Sequence, residues 1–377
     1  MSWRRWRVSF IAVVVTAVLS AGCAAGPNDT AVPPQSAPRG EWTQLPDGPL
    51  SARHEVTGAW VGGRFVLVGG WGSRPCPAGA GCMAPAEPAL RDGASFDPET
   101  NRWRSVADAP VPVSTITDPV VIGDTMYLLT GNPHRNDSPV AMLAYSAKKD
   151  VWKKLPAPAK EGLTLVAVGE QIAAILYTAE RKPAADYLFD PGRQTWRRLP
   201  PDPLGKTHSR TGLWWQGQLL LLASDMDLTS ASPPTHVASL DITDNSWRRL
   251  PDLTIGGGYA VVVNGRVVHG YVGFDGTTGH GEFYPNGALV DPGQGTWHLL
   301  PGPPRGKGIG GHVLNVGSRT VIGGHLVDPV TERWTAIPKP PWPAEDTRDV
   351  VASDSSILVW GGTSEDKNVD DGWLLRP

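Results

Sequence analysis

The chain has 377 residues, a formal net charge of −3 and only 3 Cys, with 16 Trp, 44 Gly and 37 Pro. No basic run occurs beyond the extreme N-terminus, which argues against a nucleic-acid partner. Gly and Pro at this abundance interrupt helices, and no long 3.6-residue period is present, so the composition points to an all-β protein.

The first predicted element is an export signal. Arg4, Arg5 and Arg7 precede an apolar run from Val8 to Leu19, followed by Ser20-Ala21-Gly22-Cys23. That run is short of the roughly 20 residues a membrane-spanning helix needs. A basic start, a short apolar stretch and small residues mark a secretory signal. The stretch LSAGC (19–23) resembles a bacterial lipobox, which implies cleavage before Cys23, lipidation of its thiol (palmitate) and a cell-membrane location facing the extracytoplasmic side. Ordinary secretion with cleavage nearby is the alternative. Arg4-Arg5 hints at twin-arginine export, although Trp6 and Arg7 fit that signal poorly. Residues 23–40, small, Pro-rich and polar after the cysteine, read as a lipidated Cys with a flexible tether. The expected division is therefore 1–22 signal peptide, 23–40 anchor and tether, and 41–377 folded domain.

The folded part repeats one octet. FDPETNRW (96–103) returns as FDPGRQTW (189–196), LDITDNSW (240–247), VDPGQGTW (290–297) and VDPVTERW (327–334), with a degraded copy YSAKKDVW (145–152). An apolar-Pro step follows most copies, as in Trp152-KKLP and Trp196-RRLP, and Trp42-TQLP stands alone at the N-terminal end. Spacings from Trp42 onward are 61, 49, 44, 51, 50 and 37 residues, the scale of strand-filled propeller blades. Each unit reads as a four-stranded meander. The turn between strands one and two is short throughout, for example VGGR (61–64) and VNGR (263–266). Gly and Asn there supply the positive φ of tight hairpins. The octet is the turn between strands three and four. Its Asp (97, 190, 291, 328) bonds local backbone, and its Trp (103, 152, 196, 247, 297, 334) is a packing anchor.

Second strands ending in a double glycine, VLVGG (66–70), TVIGG (320–324) and LVWGG (358–362), followed by an aromatic-Asp-Pro turn and Trp, resemble the Kelch repeat. The middle units depart from it, with LLTG, ILYTA, LLLAS and VVHGY. The resemblance covers residues 41–377 and implies a propeller. After Trp334, VVASDSSILVWGG supplies two strands and DGWLLRP a third, while Trp42-TQLP is a fourth strand without a blade. Pairing them hides both edges. The expected fold is an all-β, seven-bladed Kelch-type β-propeller of four-stranded antiparallel blades, closed by the N-terminal strand around Trp42.

In such a meander the short turns share one face, and the longer connections, near 71–92, 131–140, 224–236 and 272–287, share the other. Variable loops on a rigid scaffold are where binding residues gather. Residues just ahead of each first strand approach the channel mouth there, and basic ones predominate: the candidate ligand-binding set is Arg53, His54, His208, Arg210, Arg305 and Arg348. They suit an anionic or hydroxyl-rich ligand; a solvated rim of charge, or a structural role for Arg53-His54, is the alternative. Cys76 and Cys82 fall in one exported loop and are expected to form a disulfide. No cofactor, metal site or catalytic residue is expected: the nine His are scattered, and no phosphate-cradling loop precedes a helix. The resemblance also spans sialic-acid mutarotases, galactose-oxidase-like copper enzymes and sialidase-like propellers. Of these the Tyr-Cys and arginine-triad signatures are missing. The expectation is a monomeric binding module for a protein or carbohydrate ligand, with a carbohydrate-active envelope enzyme as the alternative.

Overall fold

The computed structural model describes residues 40–76, 87–114, 117–131, 140–158, 163–177, 179, 185–225, 234–255, 259–270, 272–273, 283–284, 287–302 and 313–377. The export signal, Cys23, most of the tether, Cys82 and Arg305 lie outside the described residues.

The described residues form strands and connections with no helix, in seven four-stranded antiparallel blades. Blade 1 is Thr57–Val61, Arg64–Val68, Gly93–Asp97 and Arg102–Val106. Blade 2 is Val120–Ile122, Thr125–Thr130, Ala141–Ser146 and Val151–Leu155; blade 3 is Leu163–Val168, Gln171–Leu176, Tyr187–Asp190 and Thr195–Arg198. Blade 4 is Thr207–Trp215, Gln218–Asp225, Thr235–Asp241 and Ser246–Arg249. Blade 5 is Tyr259–Val263, Arg266–Gly270, Ala288–Asp291 and Thr296–Leu299; blade 6 is Leu314–Val316, Arg319–Ile322, His325–Asp328 and Arg333–Ala336. Blade 7 combines Thr347–Ala352, Ile357–Ser364 and Gly372–Leu375 with Trp42–Gln44. The last pairing, Trp42 opposite Leu375 and Gln44 opposite Trp373, closes the ring with the N-terminal strand, as expected. First strands of successive blades adjoin all the way round, blade 7 to blade 1 included. The fold is thus a seven-bladed β-propeller.

Seven apolar clusters hold it, one in each seam between blades. A middle strand is buried on both faces, so it reads as an unbroken apolar run: Phe65, Val66, Leu67 and Val68 are all buried, as are Leu219 to Leu222. Each such side chain contributes about 1.5–3 kcal/mol relative to exposure.

The octets build the short-turn face. Asp97 Oδ1 accepts from the amides of Glu99 and Thr100, Asp241 from Thr243 and Asp244, and Asp328 from Val330 and Thr331. These amide bonds hold the Asp241 carboxyl below its ordinary range. The residue two before the Trp of each octet takes the left-handed conformation that ends a four-residue loop, as at Gln194 (φ 57) and Asn245 (φ 56). Phe96 and Trp103, Tyr145 and Trp152, and Phe189 and Trp196 are cross-strand partners with ring centroids 4.9–5.0 Å apart.

Each tryptophan also reaches the preceding blade. Trp103 Nε1 donates to Pro46 O, Trp152 to Ala107 O, Trp196 to Pro156 O, Trp247 to Pro200 O, Trp334 to Pro301 O and Trp42 to Pro338 O, at 2.6–3.0 Å. In all six the acceptor is the carbonyl four residues past the preceding Trp. Trp297 departs, donating to Thr254 Oγ1 at 2.9 Å.

The second-to-third connections vary as expected, from Gly323-Gly324 in blade 6 to residues 69–92 in blade 1. Blade 3 adds a connection over 177–186 that the sequence did not single out. In blades 1 and 7 the double glycine is where the next connection crosses. Gly362 (φ +90) donates to Arg53 O at 2.8 Å, and a Cβ on it would overlap the Thr347 carbonyl. Gly70 likewise donates to Val113 O at 3.0 Å.

Candidate functional site

The candidate site is the mouth of the channel on the face of the long connections, where each first strand begins. Of the residues expected to line it, Arg53, Arg210 and Arg348 turn into the protein. Arg53 is 1% exposed; its guanidinium binds both carboxylate oxygens of Asp92 (2.7 and 2.8 Å), Gly69 O (3.3 Å) and Ser51. Arg210 is 0% exposed and binds Asp186 (2.6 and 3.0 Å), Asp202 (2.9 Å) and Leu176 O (2.6 Å). Arg348 pairs with Asp371 and with Asp346 (2.9 Å), and donates to Gly361 O. Its guanidinium carbon lies 5.2 Å from the Trp373 ring and 5.9 Å from Trp342.

The three share one design. Each arginine bridges the carbonyl at the end of a second strand (Gly69, Leu176, Gly361) and an aspartate ahead of the third (Asp92, Asp186, Asp371). Bidentate pairing suits the planar guanidinium. The Arg53 hydrogen bond holds the Asp92 carboxyl below the usual carboxylate range. These clasps brace the loop-bearing ends of blades 1, 3 and 7.

Two histidines of the expected set remain half-buried at the mouth, each beside a residue in the left-handed conformation. His54 forms an antiparallel bridge with Trp71, donating to Trp71 O at 3.1 Å and accepting from Trp71 N at 2.8 Å. Its Nδ1 meets Asn368 Oδ1 at 2.8 Å. Asn368 comes from the short hairpin of blade 7, where Lys367–Asn368 pairs with Thr363 and Ser364. Its Nδ2 crosses to blade 1, donating to Trp71 O (3.2 Å) and Ser73 O (2.9 Å). Glu55 follows at φ 56, exposed. Asp349, on the first strand of blade 7, accepts from Val56 N at 2.9 Å. Burial pushes the Asp349 carboxyl up to about 7, and the Glu55 charge adds to the rise while the Val56 bond opposes it.

On blades 3 and 4, His208 Nδ1 lies 3.0 Å from Ser209 Oγ, and Tyr177 OH lies 3.3 Å from the same oxygen. Ser209 has φ 50, at a bulge between His208 and Thr211. A non-glycine residue held there stores strain of the kind found at ligand-contacting positions. Tyr177 is 53% exposed, and Tyr259, which begins the first strand of blade 5, is 69% exposed.

Asn368, Asp349, Glu55, Ser209, Tyr177 and Tyr259 were not among the residues the sequence marked. Asn368 could have been sought as a polar residue in the last connection; the others carry no local signal. Arg305 lies outside the described residues, as does Cys82; Cys76 is disulfide-bonded. Among the described residues no group of three His, Cys, Asp or Glu gathers to hold a metal ion. His269 sits inside blade 5, 3% exposed, and burial pushes it down to about 4, so it is a neutral core histidine.

No family model matches the chain, and no curated protein matches it. A solved structure described as "Structure of YjhT" is similar over 87% of this chain and 95% of that one, at 15% identity and a TM-score of 0.48.

Proposed function

We propose that the chain is a Kelch-type propeller, exported and held to the outer leaflet through a lipidated Cys23, which binds a glycan on its long-loop face. The observation that carries the binding reading is the placement of exposed aromatic surface. Five large apolar side chains are well exposed among the described residues, and the two aromatic ones, Tyr177 and Tyr259, both stand at the long-loop ends of their strands. An exposed tyrosine offers an apolar ring and a polar tip, a combination that stacks on a sugar face and bonds its hydroxyls. The clasps formed by Arg53, Arg210 and Arg348 hold this face rigid, so little ordering accompanies binding. Gly40 N donates to Arg376 O at the short-turn side, so a tether leaving from Gly40 would direct the loops away from a membrane.

The test is a glycan array with the chain lacking residues 1–22. Binding by the parent, lost with Tyr177→Ala or Tyr259→Ala while the melting temperature holds, supports the reading. An empty array with a protein captured on the same face would replace the glycan by a protein partner.

A second reading, a carbohydrate-active enzyme of the envelope, draws on Asp349. A carboxyl that titrates near neutrality beside a second carboxylate is suited to exchanging a proton with a sugar hydroxyl. Turnover of an array-positive sugar, abolished by Asp349→Asn without loss of binding, would favour it.

A further inference from the structure

The seam where blade 7 meets blade 1 places a histidine and an amide in a pairing that admits one arrangement. Asn368 faces two carbonyl oxygens on one side, Trp71 O and Ser73 O, at 3.2 and 2.9 Å. Carbonyls only accept, so the amide nitrogen lies on that side; the flipped amide would set three oxygens against one another. The amide oxygen therefore faces His54 Nδ1 at 2.8 Å, and Nδ1 carries the proton. Trp71 O also receives the His54 amide, so the loop of blade 1, the hairpin of blade 7 and the His54 backbone meet at one carbonyl. In the neutral ring the lone pair is then on Nε2, which has no partner among the described residues, on a half-buried side chain at the channel mouth.

Glu55 is the next residue, and its charge acts on Asp349, whose other neighbour is the Val56 amide. The two arginines of this seam, Arg53 and Arg348, are closed into pairs with Asp92, Asp346 and Asp371. In this tautomer Nε2 is an acceptor, so the ligand group that meets it is a donor.

We infer that Asn368 is a positioning residue that locks His54 as the Nδ1–H tautomer, so that Nε2 accepts a hydroxyl of a neutral polyol seated at the seam between blades 7 and 1. The inference rests on the loop-face binding proposed above and names the chemistry of one of its contacts. Of the anionic or hydroxyl-rich ligands that the basic residues of the sequence suggested, it selects the hydroxyl-rich kind.

The test reads the ring nitrogens directly. Proton–nitrogen correlation spectra are recorded on protein with labelled histidine, at a pH where the imidazole is neutral, with His54→Gln identifying the signals. The parent is expected to show the Nδ1–H pattern. Asn368→Ala should move His54 toward the Nε2–H form preferred by free imidazole. Methyl glucoside at millimolar concentration should shift the Nε2 signal in the parent, and bind about tenfold more weakly to Asn368→Ala, the effect of one hydrogen bond lost. An Nδ1–H pattern that persists in Asn368→Ala overturns the inference. So does an Nε2 signal unmoved by the sugar, and if Tyr259-dependent glycan binding is seen in that case, the loop-face reading survives. A shifted Nε2 with Tyr177 and Tyr259 dispensable supports the inference and sinks the aromatic reading.

Discussion

Replacing Arg210 with alanine removes a guanidinium that is fully buried and leaves two carboxylates, Asp186 and Asp202, each 3% exposed, facing one another without a counter-charge. It also strips a donor from Leu176 O. Breaking one side of a buried ion pair costs about 3–5 kcal/mol, because the surviving charge stays desolvated. A folded unit of about 340 residues unfolds with an entropy near 0.7 kcal/mol per degree. The melting temperature should therefore fall by about 4–7 °C, read by circular dichroism or calorimetry at neutral pH. Asp186→Asn alone should also destabilise, and combining it with Arg210→Ala should restore part of the sum, a coupling of about 1–3 kcal/mol between directly bonded groups. An Arg210→Ala variant that melts within about 1 °C of the parent and loses ligand instead would refute the structural role. That result would return the arginine to the mouth, where its sequence position suggested it.

Four further outcomes test other parts of the structure. Gly362→Ala should destabilise by at least about 3 kcal/mol, since a Cβ would overlap the Thr347 carbonyl at φ +90; Gly63→Ala, at φ +75 but with open space around it, should cost about 1 kcal/mol in a denaturant titration. Deleting residues 40–47 removes Trp42, its bond to Pro338 O and its contact with Trp342 at 4.9 Å, and should lower the single melting transition of the whole ring; an unchanged curve would refute closure by this strand. Asp349 is raised from 3.8 to about 7, so its stabilising contribution is full below 3.8 and is lost as pH rises through about 7; Asp349→Asn should flatten that part of the stability profile. Mass spectrometry of the membrane fraction should find a diacylated Cys23, and a mature N-terminus elsewhere would end the anchor proposal.

What could be read from the sequence was the chemistry that is local. Asp97 to Trp103 announces its turn because an aspartate bonds amides two and three residues on, and the Trp that follows faces Phe96 across the hairpin. The blade count followed from the spacing of those tryptophans and from the unpaired Trp42 strand. The relation between blades was not legible. The bond from Trp196 to Pro156 O spans 40 residues, and nothing in either segment marks the other as its partner until the ring is closed. The arginines misled for a related reason. Arg53 ahead of a first strand looks the same whether it points to the channel or into its blade, and Asp92, 39 residues later, decides the matter. The Asp-Gly at the start of the third strands of blades 1 and 7, Asp92-Gly93 and Asp371-Gly372, was the available clue. Glu55 and Ser209 carry no clue, because a left-handed backbone at an ordinary side chain is imposed by the packing around it.

The indole bonds all run in one sense, from each blade to the one before it, and the break in the covalent chain falls inside blade 7 rather than between blades. Gly40 and Arg376 already share a hydrogen bond of 2.8 Å across that break. The ring is therefore indifferent to where its polypeptide starts. A circular permutant that joins Pro377 to Gly40 through a short linker and opens the Gln216-Gly217 hairpin of blade 4 would keep every seam, every indole bond and every arginine clasp. Its ends would still leave from the short-turn face, but from the blade across the ring from the native ones, which moves the point of attachment without turning the loop face toward the surface.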